Sequence, residues 1–308
     1  MKAIYKHIIA AVVTLAVSVS GIALNGQTLP SLMLDQDPVS LASGMSGVAS
    51  GAGAFAIRNN VAAVSMSEKT LDAQVGFGIW QPAYANQTTI GAGAIYHMGK
   101  LGFAVEMIKL NLPVYSGVSG NGSDIRDSEF SPGEMNFAAG ASYAFLDCLS
   151  AGVTLRYTGS TLAEDASAAV FGADVAFYLK KDALSAGLSV NNIGTKVQYS
   201  ETAYPQPMML KAGAGYDLDL GTSSVAFTAE ADVIFAGGIM AGAGCEYSFK
   251  DMVYARAGYH YGNSVNSVPS FASAGLGLSL FGAQLNVAYL FGSPVLANTM
   301  CVSVGYRF

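Results

Sequence analysis

NTMCVSVGYRF, residues 298–308, alternates strictly: Met300, Val302, Val304, Tyr306 and Phe308 fall on one side of an extended strand, and Cys301, Ser303, Gly305 and Arg307 on the other. A β-strand turns successive side chains to opposite faces, so a wall between lipid and a polar interior must be written with period two. One such strand could equally end a soluble sandwich. The fold is decided by whether the pattern repeats upstream.

It repeats from Leu71 onward, in blocks of roughly ten residues separated by turn residues. Strands are expected at 71–81, 87–98, 100–112, 133–145, 148–159, 167–180, 183–193, 207–218, 222–236, 239–250, 251–262, 269–281, 283–292 and 298–308. Fourteen is an even number, as in bacterial single-chain barrels. The connections carry a second, independent signal, because their lengths alternate. Met98-Gly99-Lys100, Leu146-Asp147, Lys181-Asp182, Asp219-Leu220-Gly221, Lys250-Asp251 and Phe281-Gly282-Ala283 are tight, whereas 82–86, 113–132, 160–166, 194–206, 263–268 and 293–297 are mostly longer. Only Gly237-Gly238 departs from the rule. Short periplasmic turns and longer external loops are the asymmetry of outer-membrane barrels, which puts both barrel termini on the periplasmic side.

Composition points the same way. The chain is 52% hydrophobic and 12% charged, half the charge of an average soluble domain of about 25%. Beyond the N-terminus it has no apolar run of the roughly 18 residues that a membrane helix needs. The remaining way to satisfy every backbone group in hydrocarbon is a closed barrel.

Parity sorts the side chains. Val253, Ala255, Ala257, Tyr259 and Tyr261 oppose Tyr254, Arg256, Gly258 and His260, and Leu285, Val287, Tyr289 and Phe291 oppose Gln284 and Asn286. Ala169, Phe171, Ala173, Val175, Phe177 and Leu179 likewise oppose Asp174 and Lys180. The same rule turns Glu106, Arg156, Lys211, Glu230 and Asp232 inward, together with Asp174 and Arg256. An outward Arg or Lys at the bilayer midplane would cost about 2–4 kcal/mol, so a barrel requires this segregation.

Residues 1–26 read as a signal peptide: a basic start at Lys2, Lys6 and His7, an apolar stretch from Ile8 to Val19, and Gly21-Ile22-Ala23 as a small-residue cleavage site. Residues 27–70, rich in Ala, Gly, Ser and Val, lack a strand pattern and need a place. The expected architecture is therefore all-β: a transmembrane antiparallel up-and-down β-barrel of about 14 strands over 71–308, with a small N-terminal plug or hatch at 27–70. The inward charges, being of both signs, are expected to pair with one another or with that segment, whose Arg58, Asn59 and Asn60 are the candidate contacts. The alternative for the same residues is the selectivity lining of an open pore.

Other chemistries find little footing. A net charge of −6 without Lys/Arg runs excludes a broad nucleic-acid surface. Cys148, Cys245 and Cys301 have no CxxC spacing, so neither a disulfide framework nor a metal site is signalled. His97 and His260, both turned from lipid, sit in different strands with no local Ser or carboxylate motif, so no enzyme is expected. The 113–132 loop holds Asp124, Asp127 and Glu129 out of calcium-loop register and lacks the ending of a phosphate loop, so no cofactor is expected.

The chain resembles the PorV/PorQ family, FadL-like outer-membrane proteins of type IX secretion in the Bacteroidetes. The resemblance runs through LASGMSGVASGAGAFAIRNNVAAVS (41–65), FSPGEMNFAAGASYAF (130–145), LSAGVTLRYTGSTL (149–162), FGADVAFYL (171–179), LSAGLSVNNIGTKVQYS (184–200) and LKAGAGYDL (210–218); its most specific part is Asn192-Ile193-Gly194 followed by Pro205 and Pro207. Where the family has aromatic-Asn-Pro-Ala, this chain has Arg58-Asn59-Asn60-Val61-Ala62-Ala63. The resemblance implies an outer-membrane location in contact with lipid. It also implies a non-enzymatic role in which the barrel receives secreted cargo proteins from a type IX translocon and passes them to an attachment complex. The alternative is a FadL-like channel for hydrophobic or small molecules.

Overall fold

The computed structural model describes residues 29–81, 83, 86–119, 126–163, 166–199, 201–263 and 266–308. The expected signal peptide lies outside the described residues. Eighteen strands follow in chain order: β1 Leu71–Trp80, β2 Gln87–Met98, β3 Leu101–Asn111, β4 Tyr115–Ser119, β5 Arg126–Phe130, β6 Gly133–Leu146, β7 Leu149–Ala163, β8 Ala166–Lys181 and β9 Leu184–Gly194; then β10 Val197–Gln198, β11 Ala203–Tyr204, β12 Met209–Asp219, β13 Ser223–Ile234, β14 Ile239–Phe249, β15 Val253–Gly262, β16 Phe271–Leu280, β17 Ala283–Phe291 and β18 Met300–Arg307. Fourteen of them, all but β4, β5, β10 and β11, pair antiparallel with their neighbours in a closed ring. The last strand seals the ring against the first, with Val75 opposite Val304 and Phe77 opposite Val302. Closure leaves no unpaired edge in the hydrocarbon, the condition a membrane-spanning sheet must meet. No helix among the described residues is long and apolar enough to cross a membrane.

The alternation decides which face is which. Val75, Val105, Leu155, Phe171, Leu276 and Val304 are exposed on the outer wall, while their strand neighbours Gln74, Glu106, Arg156, Ser303 and Asp174 are buried within. Tight turns close one end, and residues there take up the left-handed backbone that two-residue hairpins need: Lys250 and Asp251 at φ 55° and 52°, Phe281 and Gly282 at 52° and 87°. The other end carries the longer connections. Two of these differ from the plain loops expected over 113–132 and 194–206: β4 and β5 form a separate hairpin, as do β10 and β11. Both segments have enough β-compatible residues to pair locally once their ends are clamped by the barrel.

Three seams of the wall are irregular: the register shifts at Ala144/Leu146 between β6 and β7 and at Thr161/Ala163 between β7 and β8, both near strand ends, and once in mid-wall. Between β8 and β9 the register slips at Ala173/Val175, a β-bulge in which Asp174 replaces a missing ladder partner by accepting the Asn192 N–H at 2.7 Å. Asn192 sits at φ 60°, which an Asn tolerates better than most side chains, and its Nδ2 donates to the Pro207 carbonyl.

Residues 29–70 fold as short helical turns, at Pro30–Leu32, Pro38–Ala42, Ala56–Asn59 and Val61–Met66. None carries an amphipathic repeat long enough to be stable alone. They are held by packing instead. Ile57, Val61 and Val64 are buried against Ile95, Ala104, Ala138 and Ala176 of the wall, and Leu41 and Met45 join a cluster with Trp80, Met240, Phe271 and Leu290. Inward glycines admit the segment's backbone: a Cβ at Gly187 would overlap the Val48 carbonyl oxygen, and one at Gly258 would overlap the backbone of Ser43 and Gly44.

Candidate functional site

Parity alone puts charges inside a barrel; the structure shows which of them meet. Arg58, from the turn Ala56–Asn59, donates from Nη2 to Glu106 Oε1 at 2.9 Å. Glu106 also lies 3.6 Å from Arg156 Nη1, and Arg156 Nη2 pairs with Asp174 Oδ2 at 2.9 Å. The chain Arg58–Glu106–Arg156–Asp174 therefore runs from the N-terminal segment across β3 and β7 to the β8/β9 bulge. All four side chains are almost fully buried. Arg58 additionally donates from Nη1 to the carbonyls of Ser31 and Leu34, stapling the start of the segment to its middle. Charges so deep are tolerable only when each has an opposite partner and further hydrogen bonds.

A second group sits across the interior. Lys211 Nζ pairs with Glu230 Oε1 at 3.2 Å and donates to Asn59 Oδ1 at 3.4 Å, while Glu230 Oε2 accepts the Val48 N–H at 2.6 Å. Asp232 stands opposite Lys211 in the β12–β13 register. Asn59 Nδ2 reaches Asp35, a residue of the segment itself, and Asn60 Nδ2 bonds carbonyls, those of Val48 and Phe177. Of the three residues considered from sequence as partners of lumen acids, then, Arg58 pairs with a wall carboxylate. Asn59 bonds a wall lysine and its own segment, and Asn60 bonds backbone. Asn60 also caps the following 3-10 turn, its Oδ1 accepting the Ala62 N–H at 3.0 Å.

Arg256 does not join either group. It pairs with Glu246, donates to Asn286 Oδ1 at 3.0 Å and lies over the Tyr254 ring, near the tight-turn end. There it lines a polar chamber of about 280 Å³ with Asp37, Asp72, Asp217, Gln284 and Arg307. Asp37 caps the turn Pro38–Ala42 by accepting the Val39 N–H at 3.0 Å. Burial, reinforced by the Asp35 carboxylate and to a lesser degree Asp72, pushes Asp37 up to about 7 against the opposing pull of Val39 and Arg256. Higher in the barrel, a small void of about 20 Å³ separates Arg58 and Arg156 from Lys211 and Asn191, room for about one water.

Several functional contacts escape a parity reading confined to mid-strand charges. Glu134, inward on β6, accepts the Ser31 N–H at 3.1 Å, and Asn136 beside it donates to Ser31 Oγ. Glu246 falls at an intermediate position on β14. Extending the even-residue rule along β6 to the strand end would have found Glu134; nothing local to residues 31–37 marks them as partners. The histidines stay apart: His97 bonds the Gly99 carbonyl beside a tight turn, and His260 is buried and stacked on Phe271 at 5.0 Å.

No family model matches the chain, and no curated protein does. Solved structures do. The toluene transporter TodX of Pseudomonas putida aligns with a TM-score of 0.63 over 93% of this chain and 98% of its own, at 12% identity. The toluene transporter TbuX of Ralstonia pickettii gives 0.61 over 88% and 97%, also at 12% identity. A FadL homologue of Pseudomonas aeruginosa gives 0.53 over 89% and 99%, at 11% identity. The fold is that of the FadL-like outer-membrane transporters. Closed fourteen-stranded barrels with a greasy outer band belong in the Gram-negative outer membrane.

Proposed function

We propose that this protein is a non-enzymatic outer-membrane channel for small hydrophobic molecules, closed at rest by its N-terminal segment. The observation that carries the reading is the latch Arg58–Glu106–Arg156–Asp174, which joins an otherwise weakly structured segment to the wall at the β8/β9 bulge. Residues 27–70 then act as a plug, and the inward charges Glu106, Arg156, Asp174, Lys211, Glu230 and Asp232, with Arg58 and Asn59, act as its fastenings rather than as a selectivity lining. Asn60 fastens it through carbonyls, and Arg256 belongs to the periplasmic chamber below. The fold it shares with structures described as toluene transporters supports the substrate class.

The test is uptake. Cells expressing the protein in an outer membrane stripped of hydrocarbon channels should take up labelled toluene faster than cells with an empty vector, with no gain for a hydrophilic sugar of similar mass. Equal toluene entry would reject the reading.

The resemblance to PorV and PorQ supports a second reading, in which the external hairpins β4–β5 and β10–β11 receive secreted cargo from a type IX translocon. Purification of the intact barrel from cells with active type IX secretion tests it: cargo C-terminal domains that co-purify would favour it over the channel.

A further inference from the structure

The outer wall of the barrel departs from its own rule at one place. Among the described barrel strands, the charged side chains turned outward are Lys181, the last residue of β8 at a periplasmic turn, and Lys109. Lys109 lies two residues from the external end of β3, about 7 Å along the strand, at the level where acyl chains give way to headgroups. It is exposed, and no described residue pairs with it. The cross-strand row beginning at Lys109 continues through Met135 to Gly159 and Ala169, so the wall beside the ammonium is low. A groove of about 710 Å³ opens there, lined by Lys109 with Asn111, Ser131, Thr161, Ser167 and the ring of Tyr157. Below it, sharing Tyr157, a second groove of about 1020 Å³ runs down the lipid face, where Ala92 and Ala94 of β2 lie on one side of Val105 and Ala139 of β6 on the other, with Leu155 beyond.

We propose that these two grooves form one binding site for a phosphorylated glycolipid of the outer leaflet. A phosphate sits on Lys109, sugar hydroxyls meet the hydroxyl-rich upper groove, and an acyl chain lies in the lower groove. Charge and position argue for this occupant. An unpaired ammonium at the headgroup level calls for an anion, a hydroxyl-lined pocket suits a sugar better than a compact headgroup, and the alanines Ala92, Ala94 and Ala139 leave apolar space beside Val105, Met107 and Leu155 for an acyl chain. The leaflet follows from the barrel's polarity, since Lys109 is at the end opposite the tight turns. The inference does not depend on what crosses the lumen.

Native mass spectrometry of the purified full chain tests it, using bisphosphorylated lipid A, the same lipid after enzymatic dephosphorylation, and phosphatidylglycerol as probes. Heat-modifiable gel migration reports folding of each variant. The wild type should bind phosphorylated lipid A about ten-fold more tightly than the dephosphorylated form, Lys109→Met should erase that difference, and Lys109→Arg should restore it. Ala139→Phe, a substitution on an already apolar face, should weaken both lipid A forms by filling the lower groove. Binding unchanged in folded Lys109→Met and Ala139→Phe would overturn the site. Phosphatidylglycerol bound as tightly as lipid A would overturn the assignment to a glycolipid.

Discussion

The wall and the N-terminal segment are held by different forces, although they touch over most of the barrel's interior. Each strand of the wall is fixed by a backbone ladder to two neighbours, and its side chains need only be apolar outside and polar or small inside. The segment between residues 29 and 70 has helical turns of six residues or fewer and is fixed by individual side chains: Arg58, Asn59 and Asn60 on its own part, Glu106, Lys211 and Glu230 on the wall's. A wall built on generic alternation tolerates substitution. A segment docked by specific buried ion pairs can be released by removing one of them, which is what the proposed closure would require in order to open.

The largest expected effect follows from taking the segment away. A variant lacking residues 30–65 should still form a heat-modifiable barrel but raise planar-bilayer conductance by at least on the order of ten-fold, since the barrel would become a water-filled pore. Unchanged conductance would mean that the segment does not block the lumen. Next comes Glu106→Ala, which leaves Arg58 as a buried charge without a carboxylate partner and Arg156 with Asp174 alone. Docking should weaken by about 3–5 kcal/mol. Trp80, the chain's single tryptophan, packs in the cluster that contains Leu41 and Met45, so its fluorescence against urea reports segment release separately from barrel unfolding.

On the wall side, Leu155→Lys places a charge on the lipid face and should cost about 2–4 kcal/mol of barrel stability, whereas Leu155→Val should be nearly silent. Equal effects from the two would contradict a lipid-facing Leu155. The smallest effect is a pH dependence confined to the segment. Asp37 holds its proton in the docked state up to about 7, whereas a released Asp loses it near 4. The docked form therefore binds more protons between those values, and docking weakens as pH rises through that window and levels off above it. Protease cleavage within residues 29–66 should accordingly be faster at pH 8 than at pH 5. Asp37→Asn should flatten the profile while keeping the helix cap.

The wall was legible in the sequence because its physics is local. Period two, tight turns and the scarcity of outward charges are written residue by residue, so all fourteen strands and most of their mid-strand inward charges could be located from Leu71 onward, although Glu134 and Glu246 escaped. The hairpin β4–β5 was missed because Tyr115–Ser119 and Arg126–Phe130 carry no period-two alternation of apolar and polar residues in the sequence. The site was only partly legible. Parity announced that Glu106, Arg156, Asp174, Lys211 and Glu230 point inward, but could not say that one guanidinium bridges Glu106 and Asp174, or that Arg256 belongs to a separate chamber. Ser31, Asp35 and Asp37 carry no periodic signal at all.

By itself, the sequence determined an alternating, closed, outer-membrane barrel, because strand pairing and lipid contact act on each residue through its own neighbours. Only the tertiary structure decided how residues 29–70 lie inside it. That choice depends on where small inward residues such as Gly187 and Gly258 leave room, and on which buried charges then come within reach across as many as 182 positions of chain between Val48 and Glu230.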